Sequence, residues 1–380
     1  MRATTFSKFA KQIPLSWLPF ADAASDGLPM ARLLRLSLFK FTMGATTALM
    51  IGTLNRVMIV ELNVSAWLVA MMLALPLLVA PFRAVTGYRS DVHISAFGWR
   101  RVPYMWGGTL IQFLGLAVMP FALLVLSGGG QVAVPAWVGP GAAAIAFLMV
   151  GAGLQTSQTA GLALATDQAS EDTRPRVVTM LYTMLLVGAV SGSVAYSYLL
   201  SDFTPEILVQ VVQGTALMVL VLNAVALWKQ EPRNPERVAA MRKEVRLPFR
   251  QAWADFIALP QAKRFLLATA LGTMAFHMQD IILEPYGGEI LNLSVGATSA
   301  LTAMLASGGL LGFYVAGRQL AKHVDPMRVA AYGLLVALPA FSAVIFSAPL
   351  EAGWLFRLGA LGIGLGGGLF AVGTLFTAMR

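Results

Sequence analysis

Residues 102–127 read VPYMWGGTLIQFLGLAVMPFALLVLS, a run of 26 positions without a charged side chain. A helix that crosses the hydrocarbon core of a bilayer needs about 20 mostly apolar residues, so this run is long enough to span a membrane. Similar runs fill the chain: hydrophobic residues make up 57% of the 380 positions and charged residues 12%, against roughly 25% charged residues in soluble domains. The sequence therefore predicts an all-α protein that crosses the membrane many times.

Ten apolar segments of this kind can be distinguished, and each is predicted to be a helix. The chain contains no cysteine, which excludes a disulfide framework and a thiolate metal site. The approximate bounds of the segments, numbered 1 to 10, are 36–60, 65–84, 102–127, 137–165, 176–200, 207–228, 264–287, 294–317, 327–349 and 353–379.

The connections between the segments carry the charges that orient them. Nearly every Lys and Arg lies in the N-terminal tail or after segments 2, 4, 6 and 8, whereas the opposite connections carry acids or no charge. Lys and Arg accumulate on the cytoplasmic side of membrane proteins. The N-terminus is therefore predicted to be cytoplasmic, and the net charge of +9 reflects topology rather than a nucleic-acid partner.

The longest connection divides the chain into two bundles. The predicted parts are a cytoplasmic or interfacial segment at 1–35, a six-helix bundle at 36–228, a basic cytoplasmic linker at 229–263 and a second bundle at 264–380. This order resembles the plan of major facilitator transporters, in which each half is a six-helix repeat. The sequence predicts about ten of the twelve expected helices, and we expect the second bundle to be truncated.

The connection after segment 2, GYRSDVHISAFGWRR at 87–101, resembles the cytoplasmic loop motif of that superfamily. Its glycines would permit a tight turn, and an Asp at a helix end can pair with Arg and hold neighbouring helices together. The string VHISAF, between Asp91 and Gly98, is longer than the corresponding part of the superfamily motif. In the alternative interpretation, Arg100 and Arg101 only fix the topology. A second weak copy, GRQLAKHVD at 317–325, follows segment 8. The candidate latch residues are Gly87, Asp91, Gly98, Arg100, Arg101, Gly317, Arg318 and Asp325.

Segment 7 carries the string FHMQDIILEPYGGEI at 276–290. Residues three, four and seven apart share a helix face, so His277, Asp280 and Glu284 are predicted to form one stripe with Gln279 beside it. Ionisable side chains inside a span are costly and usually face a cavity or a partner. The stripe is a candidate ligand site. In the alternative interpretation, Glu284 only ends the helix at the outer interface.

Segment 1 ends in the string GTLNRVMIVEL at 52–62, which places Arg56 and Glu61 close to the outer interface. Segments 1 and 7 occupy equivalent positions in a six-plus-six plan. Arg56 is therefore a candidate ion-pair partner of Asp280 or Glu284 across the central cleft. The alternative is that Arg56 extends along the helix to the outer surface.

Enzyme motifs are missing from the sequence, which contains no HExxH, GxSxG or phosphate-loop pattern. Its three histidines are at 93, 277 and 323, and we expect neither catalysis nor a protein-bound metal ion. The glycines of segment 10 favour close packing of helices, with room for a flat ligand as the alternative. They are Gly359, Gly362, Gly364, Gly366, Gly367 and Gly368.

Several long strings together resemble the PucC/LhaA family, also called the bacteriochlorophyll delivery family, of the major facilitator superfamily. The resemblance extends over essentially the whole chain. The strings are LPFADAASDGLPMARLLRLSLFKF at 18–41, GTLNRVMIVEL at 52–62, LALPLLVAPFRAVTGYRSD at 73–91, GWRRVPYMWGGTLIQF at 98–113 and MQDIILEPYGGEIL at 278–291.

The resemblance implies an assembly factor for the light-harvesting antenna complexes of phototrophic bacteria, one that docks antenna polypeptides and delivers bacteriochlorophyll to them. The implied partners are antenna polypeptides, the reaction-centre core and membrane lipids, in a photosynthetic inner membrane. Bacteriochlorophyll would be cargo or a bound pigment, and its magnesium takes an axial ligand. His277 is the first candidate for that ligand; a packing role for His277, or ligation by a backbone carbonyl, Gln or water, stays open. The alternative function is a secondary transporter of a small solute, proton-coupled through Asp280 and Glu284.

Overall fold

The computed structural model describes residues 28–80, 82–92, 99–128, 135–171, 173–231, 251, 254, 257–280 and 282–378. Three sequence predictions fall wholly or mainly outside these residues. They concern the N-terminal segment up to residue 27, the latch residue Gly98 and most of the linker at 229–263.

The described chain folds into helices. Wider π-helical turns at Ala48–Leu54 and Val57–Glu61 continue the first helix toward its outer end. The α-helices are α1 Met30–Thr47, α2 Ala66–Leu78, α3 Phe82–Val92, α4 Val102–Leu126, α5 Val138–Gln168, α6 Arg174–Leu199, α7 Pro205–Leu227, α8 Ala262–His277, α9 Leu283–Glu289, α10 Val295–Ala321, α11 Pro326–Ser347 and α12 Gly353–Ala378.

Within the described residues, eight helices are long and apolar enough to span a bilayer. They are α1 with its π-helical continuation, α4 to α7, and α10 to α12, and they correspond to eight of the ten predicted segments. The chain is thus a multi-pass membrane protein, and the prediction of an all-α fold is confirmed. Segments 2 and 7 are each divided into two shorter helices, α2 with α3 and α8 with α9.

Tryptophan side chains mark the ends of several helices. Trp67, Trp137 and Trp354 lie at the starts of α2, α5 and α12, Trp228 follows α7, and all four are exposed. Tryptophan concentrates at the two interfaces between a membrane and water, where its ring meets lipid and its N–H meets water. The positions of these rings agree with helix ends at the membrane surfaces.

The helices form two bundles whose main contact is along one pair of helices. In the first bundle α1 packs against α6 and α7, and α4 packs against α5 and α7. In the second, α12 packs against both α10 and α11. The bundles meet mainly where α6 lies along α10, and the π-helical turns of the first helix make smaller contacts with α9 and α10. This contact leaves room on one side for a cavity between the bundles.

The glycines of α12 allow this close packing, as predicted. A Cβ on Gly364 would collide with the backbone oxygen of Leu305 on α10, and one on Gly366 would collide with the backbone oxygen of Gly333 on α11. Because the helix backbones touch at these points, any side chain would separate them. Gly367 differs, since a Cβ there would only touch the Phe276 ring at 3.4 Å and would collide with no backbone.

Candidate functional site

A cavity of about 560 Å³ lies between the two bundles, within the range of roughly 300–1,000 Å³ that is typical of ligand sites. Its walls come from α6, α8, α10 and α12 and from the turn after α8. Most of the lining is apolar, including Leu185, Phe276, Phe313, Ile363 and Phe370. The cavity therefore suits a ligand that is itself largely apolar.

His277, Gln279 and Asp280 bring polar groups to one wall of this cavity. Helix α8 ends at His277, and the following turn lets the Asp280 N–H donate to the His277 carbonyl at 3.1 Å. This turn places His277 Nδ1 2.6 Å from Asp280 Oδ2, while Gln279 Nε2 donates to Asp280 Oδ1 at 2.6 Å. A carboxylate only accepts hydrogen bonds, so Nδ1 carries the proton, and in the neutral imidazole Nε2 has a free lone pair. With 70% of the His277 side chain exposed, Nε2 can meet a ligand.

Two further polar atoms in the cavity wall have no hydrogen-bond partner among the described residues. They are Thr269 Oγ1 and Gln279 Oε1, and both are buried. Buried polar atoms in folded proteins are nearly always hydrogen-bonded. These two atoms, one able to donate and one able to accept, are therefore available to a ligand in the cavity.

Glu284 lies apart from this cluster, which differs from the single stripe predicted for segment 7. Its side chain is 3% exposed, one carboxylate oxygen accepts a hydrogen bond from Thr302 of α10, and Oε2 has no partner. The helix ends at His277 and a new one begins at Leu283, as expected before Pro285, because proline has no N–H to continue the hydrogen bonding of a preceding helix. The interruption turns Glu284 from the cavity towards α10.

Arg56 is close enough to Glu284, one of its two predicted partners, for their charges to interact, but its ion pair is with a different acid. It forms an ion pair with Glu61, and its Nη2 donates to the carbonyl of Leu293 at 3.2 Å. Hydrogen bonds in π-helical turns join residues five apart, which brings Arg56 and Glu61 to the same side of the helix. Arg56 is 4% exposed, so it does not extend to the outer surface, and through Leu293 it links the two bundles.

The predicted latch forms a charged network in the first bundle. Arg101 pairs with Asp91 and lies 3.2 Å from Asp167 at the end of α5, while Arg100 lies 2.5 Å from the same carboxylate. Glu231 accepts hydrogen bonds from the backbone N–H groups of Arg100 and of Val102, at 2.9 and 3.1 Å. Sequence reasoning missed Asp167 and Glu231, although both are acids at helix ends on the basic side of the chain.

The other predicted latch residues have different surroundings. Gly87 lies inside α3 rather than in a turn. Asp325 caps α11, since it accepts hydrogen bonds from the N–H groups of Met327 and Arg328. Arg318 donates to the Tyr314 hydroxyl at 3.4 Å, and Gly317 contacts no side chain where a Cβ would be. Among the described residues, no ion pair joins Arg318 to Asp325, so the second copy lacks the network of the first.

Lys40 is a further charged residue near the cavity that sequence reasoning missed. It lies within α1 with 0% of its surface exposed, and its Nζ is 4.5 Å from the centre of the Tyr182 ring. Tyr182 in turn lines the cavity. A lysine inside the apolar segment 36–60 was the signal that could have found it.

Comparison with known proteins gives consistent matches over the chain. The family described as PUCC protein matches residues 53–380. The chain is 50% identical over 368 residues to Protein PucC of Rhodovulum sulfidophilum. The aligned region covers 96% of this chain and 81% of that protein. It is 52% identical over 367 residues to an uncharacterized protein in the puhA-bchM intergenic region of Rhodobacter capsulatus, covering 97% of this chain and 76% of that one.

A more distant relative and two solved structures extend these matches. The bacteriochlorophyll synthase 44.5 kDa chain of Rhodobacter capsulatus is 27% identical, over 92% of this chain and 78% of that protein. The inward-facing structure of a bacterial homologue of the iron transporter ferroportin has a TM-score of 0.63 at 16% identity, covering 92% of this chain and 84% of that one. The xylose transporter XylE from E. coli has a TM-score of 0.61 at 16% identity, covering 91% and 87%. At this identity the structures establish the fold alone, which is that of major facilitator transporters.

Proposed function

The chain belongs to the PucC family, and from that premise we propose that it is an assembly factor for bacterial light-harvesting complexes that binds bacteriochlorophyll between its two bundles. The proposal is supported by relatives about 50% identical over nearly the whole chain and by the membrane-spanning fold. Its membrane would be the photosynthetic inner membrane. Its role would be non-catalytic, because binding and release of a pigment require no bond to be made or broken in the pigment.

The proposal that the protein binds pigment is supported mainly by the His277–Asp280 pair in the wall of an apolar cavity. A bound bacteriochlorophyll would bring a magnesium ion that could take a ligand from the protein. The lone pair of His277 Nε2 suits that role, because the hydrogen bond at Nδ1 fixes the tautomer and orients the ring. The free Thr269 hydroxyl and the Gln279 amide oxygen could bond to polar groups at the edge of the pigment. The apolar side chains of the cavity would cover its faces.

The proposed partners are antenna polypeptides, with the reaction-centre core as a further one. Exposed apolar side chains cover the outer faces of the bundles, for example Phe121, Ile145 and Leu217. In a membrane these faces contact lipid tails, and a single-span helix can replace lipid there at little cost in free energy because both are apolar. An antenna helix would therefore be held by packing and interhelical hydrogen bonds rather than by the hydrophobic effect.

Purification of the tagged protein from a phototrophic host in mild detergent tests the proposal. An absorption spectrum reports the pigment, and mass spectrometry reports the antenna polypeptides. We expect both to co-purify with the wild-type protein. His277→Ala should lose most of the pigment, and Asp280→Asn should bind pigment about 10-fold more weakly, since partners that orient a ligating histidine typically contribute 10- to 100-fold in affinity.

His323→Asn is the matched control, because His323 follows α10 outside the cavity at a positive φ of 59° that asparagine tolerates. This variant should retain pigment and partners. A folded wild-type protein that is colourless and free of antenna polypeptides would contradict the proposed function. If antenna polypeptides co-purify without pigment, the docking part of the proposed function stands and the pigment-binding part is contradicted.

A second candidate, a proton-coupled transporter of a small solute, is favoured by Glu284. This carboxylate is buried between the bundles, and its Oε2 has no partner. Such groups bind and release protons in many transporters. Solute uptake into proteoliposomes that is driven by a proton gradient and abolished by Glu284→Gln would favour this function over assembly.

A further inference from the structure

Lys40 is a buried lysine without a counter-charge among the described residues. Its surface is 0% exposed, and Nζ has no hydrogen-bond partner. Among the described residues no carboxylate forms an ion pair with it. An ammonium group that is removed from water without a partner is costly, so this position requires an explanation beyond packing.

The groups around Lys40 connect it to the cavity. Its Nζ lies over the ring of Tyr182 at 4.5 Å from the centroid, and 5.7 Å from that of Phe39. Tyr182 belongs to α6 and lines the cavity. A single aromatic ring thus separates the ammonium group from the space where a ligand would bind, and the flexible stem of lysine allows Nζ to move past it.

Among the residues that the structure describes, the surroundings of Lys40 add positive charge and contain no acid paired with it. Arg83 of α3 is the other charged group whose field reaches Lys40, and it is held by a hydrogen bond from Nε to Thr159 Oγ1 of α5 at 3.2 Å. Across the cavity, the carboxylate of Asp280 already bonds to His277 and Gln279. The cavity wall thus has a satisfied acid at Asp280, while the lysine behind Tyr182 lacks a counter-charge among the described residues.

We propose that Lys40 binds a carboxylate of the ligand in the cavity, and that the Tyr182 ring rotates aside to admit it. The ligand would then be an apolar molecule with one free carboxylate, such as a chlorin acid that has not been esterified. An ammonium–carboxylate pair in an apolar site is stronger than one in water, and the ligand supplies the missing counter-charge. Bacteriochlorophyll itself is an ester without a free carboxylate, so the inference goes beyond the proposed function: it assigns a second class of ligand, the unesterified chlorin acid, to the same cavity, and rests on the proposed function only for the use of that cavity.

The test compares an acid with its ester in the full chain, reconstituted in lipid nanodiscs. The probes are pheophorbide a, a chlorin with one free carboxylate and no metal, and its methyl ester; binding is followed by fluorescence. We expect the wild-type protein to bind the acid at least tenfold more tightly than the ester. Lys40→Met should remove this preference and Lys40→Arg should keep it. His277→Ala should also keep it, because neither probe contains a metal to ligate.

Three results would each overturn the inference: equal binding of acid and ester by the wild-type protein, an unchanged preference in Lys40→Met, or no binding of either probe. If Lys40→Met fails to fold, the comparison of acid and ester binding by the wild-type protein still tests the inference. These outcomes are separate from the test of the proposed function. A protein that co-purifies with antenna polypeptides and pigment but shows no preference for the acid keeps its assembly role and loses only the carboxylate site.

Discussion

Several buried polar side chains of the first bundle have partners on other helices. The Asn223 side chain accepts from Thr42 at 2.8 Å and donates to Thr109 at 3.0 Å, which joins α7 to α1 and α4. Gln112 donates to Thr46 at 2.9 Å. Because lipid offers no hydrogen bonds, such groups must be satisfied within the protein. Polar groups that stay unsatisfied, such as Lys40 Nζ and Thr269 Oγ1, therefore stand out as candidate ligand contacts.

Glu61 should matter for stability because it neutralises the buried Arg56. Removing the charge in Glu61→Gln leaves a guanidinium at 4% exposure without an ion-pair partner. We expect a loss of about 1–3 kcal/mol, the usual cost of an unsatisfied buried polar group, measured as a lower midpoint of thermal unfolding in detergent. The control Asp202→Asn changes an exposed acid on the same side of the protein and should stay within about 0.5 kcal/mol of wild type. Equal midpoints would show that the Arg56–Glu61 pair contributes nothing.

The helical elements depart from the sequence pattern where backbone hydrogen bonding changes. Segment 7 has helical spacing throughout, but Pro285 divides it, so His277 and Glu284 face different parts of the protein. The end of segment 1 is π-helical, and its residues five apart align in a way that α-helical spacing does not predict. Side-chain periodicity assumes one regular helix, so both side-chain arrangements were missed.

Packing of α12 against α10 should fail when a methyl group is added at Gly364. Its Cβ would overlap the backbone oxygen of Leu305, so Gly364→Ala forces the helices apart at a cost of about 1–3 kcal/mol, as for other overpacked cores. Gly214→Ala, in α7 with open space at the Cβ position, is the matched control. It should be neutral or stabilise by up to about 1 kcal/mol, since alanine favours helix over glycine. Thermal unfolding of both variants in detergent checks this, and equal effects would exclude the packing explanation.

The charged network at the end of α5 should hold neighbouring elements together. Asp167→Asn removes the carboxylate that lies near both Arg100 and Arg101. We expect a loss of about 1 kcal/mol, because the carboxylate is partly exposed and water screens such pairs. Unfolding in low and high salt measures this, and salt should reduce the difference from wild type. Glu171→Gln, in an exposed position on the same connection, should have no comparable effect; a similar loss there would show that the network is not specific.

At the scale of the whole molecule, the two bundles are closed at one end. Ser197 of α6 donates to the carbonyl of Gly296 at 2.7 Å, and the hydroxyls of Thr53 and Ser299 lie 3.1 Å apart. Both contacts join the bundles on the predicted outer side, while the cavity extends towards Ala378 at the other end of α12. A ligand would thus enter from the predicted cytoplasmic side or from the membrane.

The closed end can be tested by cross-linking, because the chain contains no native cysteine. The hydroxyls of Thr53 and Ser299 are close enough that Thr53→Cys with Ser299→Cys should form a disulfide on mild oxidation. Mass spectrometry of the oxidised protein detects the bond. The pair Thr53→Cys with Ser342→Cys, whose second position is on α11 and exposed, should not form one. If the first pair does not cross-link, the bundles are separated at this end in the membrane.

Local properties of the chain were enough to predict eight spans, the all-α class and the family. Run length, hydropathy and long characteristic strings are all read from neighbouring residues. They also identified His277, Gln279 and Asp280, which come from one short string. The tertiary structure decided the rest: Lys40 lies beneath Tyr182, Arg56 pairs with Glu61, and Glu284 turns to Thr302. These contacts depend on which helices pack together and on where their backbone hydrogen bonding changes, and neither is recorded in the periodicity of a single segment.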